Sequence, residues 1–374
     1  MSYRALTNLV GRNGSSLNAV CPYYTMYPLS FPFGVLARHA SLARKGFVVD
    51  PFCGRGTTNF AARMLGLRSI GADSSPVAVA LSKAKLAFAT ADDVVRCAED
   101  ILRRGTSPLI PSGEFWELAF HKDTLHEICV IREALLADCA DDSRILLRAI
   151  VLGALHGPLT KRVPSNLSNQ SPRTFAPKPR YAVSYWRKHE LLPPRIRLLD
   201  VVRARADRYL ADLPDRVSGR IIEADSRSAG LLKKGERLAL AITSPPYFGM
   251  RTYLQDQWLR LWFLGGPCFV DYEHSSAQLS HASANQFAGQ LRRVWANLAA
   301  VSRHDALLVI RFGGIHDRAV SPRQLVKESL VDSGWRISTL RASPDSGEGK
   351  RQVAQFHELV RSPVEEIDVY CRLG

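Results

Sequence analysis

Seven short apolar segments recur along the chain, and each has the length of a buried strand with turn-forming residues near its ends. They are GFVVDPF (46–52), RSIGADSS (68–75), GRIIEADSR (219–227), RLALAITSPPY (237–247), DALLVIRFGG (305–314), WRISTLRAS (335–343) and EEIDVYCRLG (365–374). Helical patterns follow the first two segments, over TTNFAARMLGL (57–67) and PVAVALSKAKLAFA (76–89). Alternation of this kind is typical of a doubly wound parallel sheet. The sequence therefore predicts an α/β, Rossmann-like fold with seven strands.

A different pattern occupies residues 86–218, where apolar residues recur at helical spacing and strand signals are weak. Amphipathic helical segments are predicted over 92–104, 115–137, 141–157 and 181–213. The simplest organisation is a sheet domain of residues 21–85 and 219–374, interrupted by a helical insert of residues 86–218. Residues 1–20 are predicted to form an amino-terminal arm.

Charge changes this picture, because the chain carries a formal net charge of +15 over 374 residues. An excess of this size favours a polyanionic partner, with nucleic acid as the first candidate. The alternative is a basic surface without a partner. One segment, KRVPSNLSNQSPRTFAPKPR (161–180), has five basic and no acidic residues. A loop this long inside a compact domain is usually functional or disordered.

The seven cysteines are scattered and form no CxxC pair, so we expect neither a metal site nor a redox dithiol. Scattered cysteines in odd number favour a reducing compartment, and we expect a cytoplasmic protein. No apolar run has the length of a membrane span. The first twenty residues also lack the apolar core of a signal peptide.

The glycine-rich turn DPFCGRGTT (50–58) follows the first predicted strand and opens a helix. Gly54 and Gly56 would let the backbone approach a ligand closely, and no GxxxxGK[ST] phosphate cradle is present. Asp73 ends the second strand, where an acidic side chain can accept ribose hydroxyls; the alternative is a helix N-cap. Asp225 ends the third strand and is a candidate acceptor for an adenine amino group; the alternative is a simple loop carboxylate.

The proline corner TSPPY (243–247) ends the fourth predicted strand and should face the same crevice. The exocyclic amine of a nucleobase is a poor nucleophile, because its lone pair is delocalised into the ring. The Ser244 hydroxyl and the Pro245 carbonyl can accept its two N–H bonds and favour the pyramidal form that attacks a methyl group. Tyr247 and Phe248 offer faces on which a flipped base could stack. A proline-bearing loop without a chemical role is the alternative.

Together, DPFCGRGTT and TSPPY resemble motifs I and IV of the amino-group DNA methyltransferases, which use S-adenosylmethionine. In that family SPPY is commoner among enzymes that methylate cytosine N4, and DPPY among those that methylate adenine N6. The segment CPYYTMYPLSFPFGVLARHA (21–40) is similar to motif X, which helps to hold the methionine end of the donor. The resemblance covers residues 21–85 and 219–315 and implies a methyltransferase-type sheet.

The residue patterns and the resemblance together predict two groups of site residues. The expected cofactor-binding residues are Tyr27, Pro28, Phe31, Asp50, Pro51, Phe52, Cys53, Gly54, Gly56, Thr57, Thr58, Asp73, Ser74, Asp225 and Ser226. The expected catalytic residues are Ser244, Pro245, Pro246 and Tyr247.

Substrate contacts are expected near the corner and in the basic loop. An amine inside a duplex is out of reach, so the target base must be flipped out or already single-stranded. The expected contacts are Phe248, Arg251 and Tyr253 at the corner, Arg173, Lys178 and Arg180 on phosphates, and Asn166, Asn169 and Gln170 on base edges. For the loop, the alternative is a disordered connector.

The preferred interpretation is a site-specific DNA (cytosine-N4) methyltransferase that acts on flipped bases in double-stranded DNA, with a cognate restriction endonuclease as a further candidate partner. Adenine-N6 methylation of DNA is the first alternative. An inactive nucleic-acid-binding subunit that keeps the fold is the second. An RNA amino-methyltransferase stays open, although no RNA-binding module is recognisable. Cytosine-C5 chemistry is excluded, because it needs a cysteine nucleophile where this chain has SPPY.

Overall fold

A mixed sheet forms the centre of the computed structural model. The structure describes residues 16–23, 27–105, 108–158, 165–171, 178–249, 254–271, 279–314, 320–343 and 365–374. The strands are β1 (Phe47–Asp50), β2 (Ser69–Asp73), β3 (Gly219–Glu223), β4 (Leu238–Thr243), β5 (Ser302–Gly313), β6 (Trp335–Ala342) and β7 (Glu366–Leu373). All seven predicted strands are therefore confirmed.

Helices cover both faces of this sheet. The α-helices of the described residues are α1 (Ser30–Arg38), α2 (Ala40–Ala43), α3 (Thr57–Met64), α4 (Pro76–Leu86), α5 (Ala91–Arg104), α6 (Glu114–Ala119), α7 (Lys122–Ala137), α8 (Asp142–Ala154), α9 (Pro179–Lys188), α10 (Leu198–Leu210), α11 (Trp258–Phe263), α12 (Ala284–Ala300) and α13 (Pro322–Leu330). Single 3₁₀ turns span Ser16–Ala19 and Leu254–Gln257.

The strand order is β3-β2-β1-β4-β5-β7-β6. Strands β1 to β5 pair in parallel, and β7 runs antiparallel between β5 and β6. The chain thus builds outward from β1 to β3 and then returns to place β4 on the other side of β1. In an open α/β sheet, ligands bind outside the carboxyl ends of the strands at such a reversal of order.

The central strands are apolar because both of their faces are covered. Every residue of β1 and β4 is buried, as expected for parallel strands between helical layers. Val48 belongs to the core on the face covered by α1, α3 and α4, whereas its neighbours Phe47 and Val49 belong to the core under α12 and α13. This alternation follows from the two-residue period of a strand.

The segment predicted as a helical insert is helical, with two of its predicted segments divided: residues 181–213 hold α9 and α10 with residues 189–197 between them outside any helix. Residues 115–137 form two helices rather than one, because the chain turns at Phe120 and His121. The His121 ring accepts the Asp123 N–H at 3.3 Å and caps α7. Helices α5, α7, α8 and α10 contribute side chains to the same core cluster as α1, α3 and α4. The proposed domain boundaries stay a prediction.

Three basic side chains fix part of the predicted amino-terminal arm to the rest of the protein. Leu17 is completely buried, and the carbonyls of residues 17, 20 and 22 each accept a bond from a basic side chain. The donors are Lys85 on α4, Arg205 on α10 and Arg260 on α11. Residues 16–23 are therefore a strap between the helices.

Candidate active site

The two loops singled out in the sequence are neighbours in space. Strands β1 and β4 pair directly, with Val49 opposite Ala241. Their carboxyl ends lie at one edge of the sheet, so residues 51–56 and 244–248 leave that edge side by side. Thr58 at the start of α3 donates to the Ile242 carbonyl at 3.4 Å and links the helix that follows the first loop to the strand that precedes the second. The edge therefore brings together the glycine turn and the proline corner.

Asp50 supports this edge from inside the protein. Its carboxylate is fully buried and accepts the Tyr27 hydroxyl at 3.0 Å and the Phe52 N–H at 3.1 Å. The Tyr27 hydroxyl also contacts the Thr58 hydroxyl. Burial raises the pKa of Asp50 above its ordinary value, and hydrogen bonds, first of all with Thr58, oppose that shift. None of the Asp50 surface is accessible, so its carboxylate shapes the edge from behind, and contact of Asp50 or Phe52 with a donor stays a prediction.

Asp73 fastens the glycine turn to the end of β2. Its Oδ2 accepts the Gly54 N–H at 2.9 Å, and its Oδ1 accepts the Ser75 N–H at 2.9 Å. Burial raises the pKa of Asp73 to about 6, against the effect of these N–H donors. The N-cap of α4 is Ser75, whose hydroxyl accepts the Ala78 N–H, so the N-cap alternative for Asp73 is wrong. Ribose binding by the half-buried carboxylate stays a prediction.

The two glycines of the turn have different roles. Both have positive φ, +51° at Gly54 and +80° at Gly56. A Cβ on Gly56 would lie 2.8 Å from the Ser82 Oγ, so this glycine permits close contact between the turn and α4. Among the described residues, a Cβ on Gly54 would meet the Tyr23 ring alone, at 3.8 Å. Gly54 is therefore the more open position of the turn, and ligand contact at Gly56 stays a prediction.

Tyr23 is a site residue that sequence reasoning missed. Its ring lies beside Gly54, and burial together with the Asp73 carboxylate raises the pKa of its hydroxyl, while a hydrogen bond with Ser75 lowers it. Tyr23 thus spans from the turn after β1 to the end of β2. It lies in the motif X-like segment, where the resemblance points to Tyr27 instead. Spacing alone does not distinguish the two tyrosines.

Several other predicted donor contacts have their side chains inside the protein. Phe31, Cys53, Thr57, Thr58 and Ser226 are all at most 6% exposed. The Ser226 hydroxyl donates to the Pro51 carbonyl, which joins the loop after β3 to the glycine turn, and Pro51 is itself buried. These positions shape the edge, and direct side-chain contact with a donor is not supported there. Pro28, Phe52 and Ser74 are half-buried and stay predictions.

Asp225 is occupied by its own neighbour. Its carboxylate pairs with the Arg227 guanidinium at distances from 2.5 to 3.0 Å, and a hydrogen bond from Arg227 lowers the pKa of Asp225. An adenine amino group would have to compete with a full positive charge for the same oxygens. The structure therefore favours the alternative, a loop carboxylate.

The proline corner holds Tyr247 firmly. The Tyr247 hydroxyl donates to Glu366 Oε1 at 2.6 Å, and its ring meets Phe312 edge-on at a centroid distance of 5.5 Å. Pro245 is buried, whereas Ser244, Pro246 and Tyr247 are half-buried. Burial, then the Glu366 carboxylate, raises the pKa of Tyr247 well above its ordinary value. Ser244 and Tyr247 are thus at the surface of the edge, as the catalytic prediction requires.

Phe248, the next residue, does not share this position. It is 7% exposed and packs against Phe287 at 5.4 Å. Its predicted stacking on a base is wrong, because its ring belongs to the core under α12. Arg251 and Tyr253, the other contacts predicted at the corner, lie outside the described residues.

Two of the predicted base-reading residues are buried in the helical segment. Asn169 is completely buried, and its amide donates to the carbonyls of Leu118 and Leu191, both at 3.0 Å. Asn166 is 6% exposed and binds the Pro158 carbonyl and Arg205. Both predictions are wrong, because the amides are used to satisfy buried main-chain groups.

The remaining predicted nucleic-acid contacts stay predictions. Lys178 and Arg180 are exposed at the start of α9, and Gln170 is half-buried. Arg173 lies outside the described residues. Within the described ranges, no group of three or more His, Cys, Asp or Glu side chains is placed to hold a metal ion. No helix of those ranges has the length and apolar character to cross a membrane.

The edge fits S-adenosylmethionine in the chemistry that it offers. Gly54 leaves open space on one side, bounded by the Tyr23 ring. Asp73 supplies a half-buried carboxylate at the end of β2, the position that suits ribose hydroxyls. Phe52, at the turn itself, presents a half-buried aromatic ring, and aromatic faces attract cationic groups such as a sulfonium.

Comparison with known proteins supports this assignment over part of the chain. Residues 6–84 match a family described as DNA methylase, of the N6/N4 type. This part of the chain resembles a DNA methylase. The matched stretch contains the strap, the motif X-like segment and the glycine turn, and it ends before the proline corner. S-adenosylmethionine is the donor of that family, so the match supports the expected cofactor. It does not distinguish the N4 type from the N6 type.

Solved structures with similarity to this chain include several methyltransferases. The rRNA methyltransferase AviRa from Streptomyces viridochromogenes is 13% identical, with 96% of this chain and 92% of that chain covered and a TM-score of 0.38. The glycopeptide N-methyltransferase MtfA complexed with S-adenosyl-L-methionine is 9% identical, with 91% and 87% covered and a TM-score of 0.34. Scores this low support no conclusion about substrate. No curated protein matches the sequence.

Proposed function

We propose that this protein is a DNA methyltransferase that transfers a methyl group from S-adenosylmethionine to the exocyclic N4 amine of cytosine, after base flipping. The observation that carries the proposal is the direct pairing of β1 with β4, which brings residues 51–56 and 244–248 to one edge of the sheet. A donor held over the first loop and an amine held at the second would then face each other across neighbouring strand ends.

The protein's contribution to the reaction is orientation. When bound, S-adenosylmethionine supplies a methyl group on a positively charged sulfur. Gly54, Tyr23 and Asp73 form the wall on the donor side. The Ser244 hydroxyl and the Pro245 carbonyl accept the two N–H bonds of the target amine and favour its pyramidal form. Tyr247 offers its ring to the flipped base, and the amine proton leaves to solvent.

The choice of cytosine N4 over adenine N6 rests on the residue before the two prolines. A neutral serine occupies position 244, as is commoner among the N4 enzymes, where the N6 enzymes usually have aspartate. DNA as the partner is favoured by the family match over residues 6–84 and by the net charge of +15. We further propose action on the genome in the cytoplasm, with a cognate restriction endonuclease as a candidate partner.

The test is incubation of the purified protein with plasmid DNA and isotopically labelled S-adenosylmethionine, followed by nucleoside mass spectrometry. Labelled N4-methylcytosine supports the proposal, and its loss in Ser244→Ala assigns the activity to this site. Labelled N6-methyladenine supports the first alternative instead. Labelled donor that binds without yielding a methylated deoxynucleoside contradicts DNA methylation and favours an inactive subunit. A parallel reaction with total RNA detects an RNA substrate.

A further inference from the structure

Tyr247, in the loop after β4, packs against residues of β5 and β7. Its hydroxyl donates to Glu366 at the start of β7, and its ring edge meets Phe312 on β5. The ring also lies against Gly313, where a Cβ would be only 2.6 Å from Tyr247 Cε2 and 3.0 Å from Cζ. Glu366, Phe312 and Gly313 together form what we term the tyrosine cradle.

The register of the β5–β7 pair brings the residues of the tyrosine cradle together. Gly313 and Glu366 are direct partners in the antiparallel β5–β7 pair. Beside this pair, Phe312 is opposite Ile367 and Arg311 is opposite Asp368. Arg311 and Asp368 form a salt bridge at 2.8 Å with both side chains 1% exposed. A buried, doubly bonded ion pair fixes the register of the two strands, so the position of Glu366 relative to Gly313 is also fixed.

We propose that Glu366 is a positioning residue for the methyl-transfer site, which acts by holding the Tyr247 ring in one orientation for the flipped base. The inference rests on the proposed function, and it adds a residue outside the motifs that the sequence identified. The hydrogen bond fixes the far end of the side chain, and Gly313 leaves no gap behind one side of the ring. If the Tyr247 ring is already fixed before the base arrives, no conformational entropy of this side chain has to be lost during the reaction.

Two routes disturb the cradle independently. Glu366→Leu removes the acceptor and keeps a side chain of similar length, whereas Gly313→Ala places a methyl group where the ring lies. We expect each to lower kcat for DNA by about 10- to 100-fold, because small misplacements of a reacting group cost this much. The Kd for S-adenosylmethionine should change by less than about twofold, since the donor side of the edge is untouched.

Rescue separates positioning from simple loss of structure. Glu366→Gln keeps a carbonyl acceptor for the Tyr247 hydroxyl and should retain kcat within about threefold of the wild type. Tyr247→Phe removes the other partner of the bond, and the double variant Tyr247→Phe, Glu366→Leu should be no slower than the slower single variant.

Matched controls come from adjacent positions. Glu365→Gln alters the neighbouring carboxylate, which pairs with Arg323 at 2.7 Å and is not the acceptor of the Tyr247 hydroxyl. This variant should leave kcat unchanged. Gly289→Ala adds a methyl group on α12 where no atom of the described residues lies within 4 Å. Melting temperatures of all variants are compared, so that a drop in kcat is interpreted only for folded protein.

These experiments distinguish a failure of the positioning role from a failure of the proposed function. Wild-type protein that methylates DNA, with Glu366→Leu equally active, overturns the cradle and leaves the proposed function intact. Multiplicative losses in the double variant, or no rescue by glutamine, also overturn it. Wild-type protein that forms no methylated nucleoside overturns the proposed function, and the positioning role with it.

Discussion

The Gly54 N–H donates a hydrogen bond to Asp73 Oδ2 at 2.9 Å, so the turn after β1 is held by the residue that ends β2. This single bond connects the two strand ends on which donor binding is expected to depend. The other Asp73 oxygen is held by the Ser75 N–H, which fixes the direction of the carboxylate. One side chain thus both shapes the turn and presents oxygen to the crevice.

Replacing Asp73 with alanine should weaken binding of S-adenosylmethionine by about tenfold or more, because the variant lacks both the anchor of the turn and the ribose acceptor. Isothermal titration calorimetry measures the change directly. Glu223→Gln is the control, since Glu223 is the exposed register partner of Asp73 on β3. An unchanged affinity in Asp73→Ala would remove this residue from the donor site.

The raised pKa of Asp73 predicts a pH dependence of stability with a defined sign. Its folded-state pKa of about 6 exceeds an unfolded value of about 4, so the folded state binds the proton more tightly. This contribution to the free energy of unfolding is complete below pH ~4 and is lost as the pH rises through about 6. Urea titrations give the free energy of unfolding of the wild type and of Asp73→Asn, and the wild-type value minus the variant value should fall as the pH rises over that interval. A rise of this signed difference with pH would contradict the assignment.

Ser244→Ala should lower kcat far more than donor affinity, because the hydroxyl, which also forms a hydrogen bond with Tyr247, is expected to act on the target side of the site and not on the donor. A decrease of about 10²-fold in kcat is typical for removal of an orienting donor or acceptor. Steady-state methylation at saturating substrate measures kcat, and calorimetry measures donor binding. Ser338→Ala, on the exposed edge strand β6, serves as the control. Equal losses in both quantities would contradict an orienting role.

Charge reversal at Lys178 and Arg180 should weaken DNA binding and flatten its dependence on salt. Removing one phosphate interaction lowers the slope of log K against log salt by about 0.9. Fluorescence anisotropy with a labelled duplex at several salt concentrations gives the slope. The matched control reverses Arg96 and Arg103 on α5, whose side chains are both 70% exposed. If both pairs change the slope equally, the effect is one of net charge, and α9 is not a specific contact.

Gly56→Ala should destabilise the protein more than Gly66→Ala does. Both glycines have positive φ, which costs an alanine about 1 kcal/mol. The Cβ of an alanine at Gly56 would lie 2.8 Å from Ser82 Oγ, whereas at Gly66 no atom of the described residues lies within 4 Å. Crowding adds about 1–3 kcal/mol at Gly56, measured by chemical denaturation. Equal destabilisation of the two variants would show that the turn moves freely away from α4.

The strands and the two loops at their ends could be predicted because their signals are local. An apolar run bounded by turn residues identifies a buried strand, and DPFCGRGTT and SPPY each lie within ten residues of one. The parallel order then places both loops at one edge. What escaped prediction depends on contacts between distant parts of the chain, such as Tyr247 with Glu366, which are 119 positions apart.

Composition is misleading where polar side chains serve the main chain. Asn166 and Asn169 lie in a stretch rich in serine, proline and asparagine, which is typical of an exposed loop. Both are buried, because the Asn169 amide donates to the Leu191 carbonyl and the Asn166 amide oxygen accepts from Arg205. Gly56 shows a related difficulty, because its close approach to α4 already requires glycine. A glycine needed for a helix contact and one needed for a ligand look alike in sequence, and only the position of Ser82 distinguishes them.

The strap of residues 16–23 has a consequence for biosynthesis. The side chains that bind its carbonyls lie 68, 185 and 238 positions further along the chain. A ribosome must therefore add 238 further residues after Pro22 before Arg260 can reach it. The strap waits through that interval without its last anchor, and the Tyr23 side of the crevice is completed only after the helical segment and β4 have been translated.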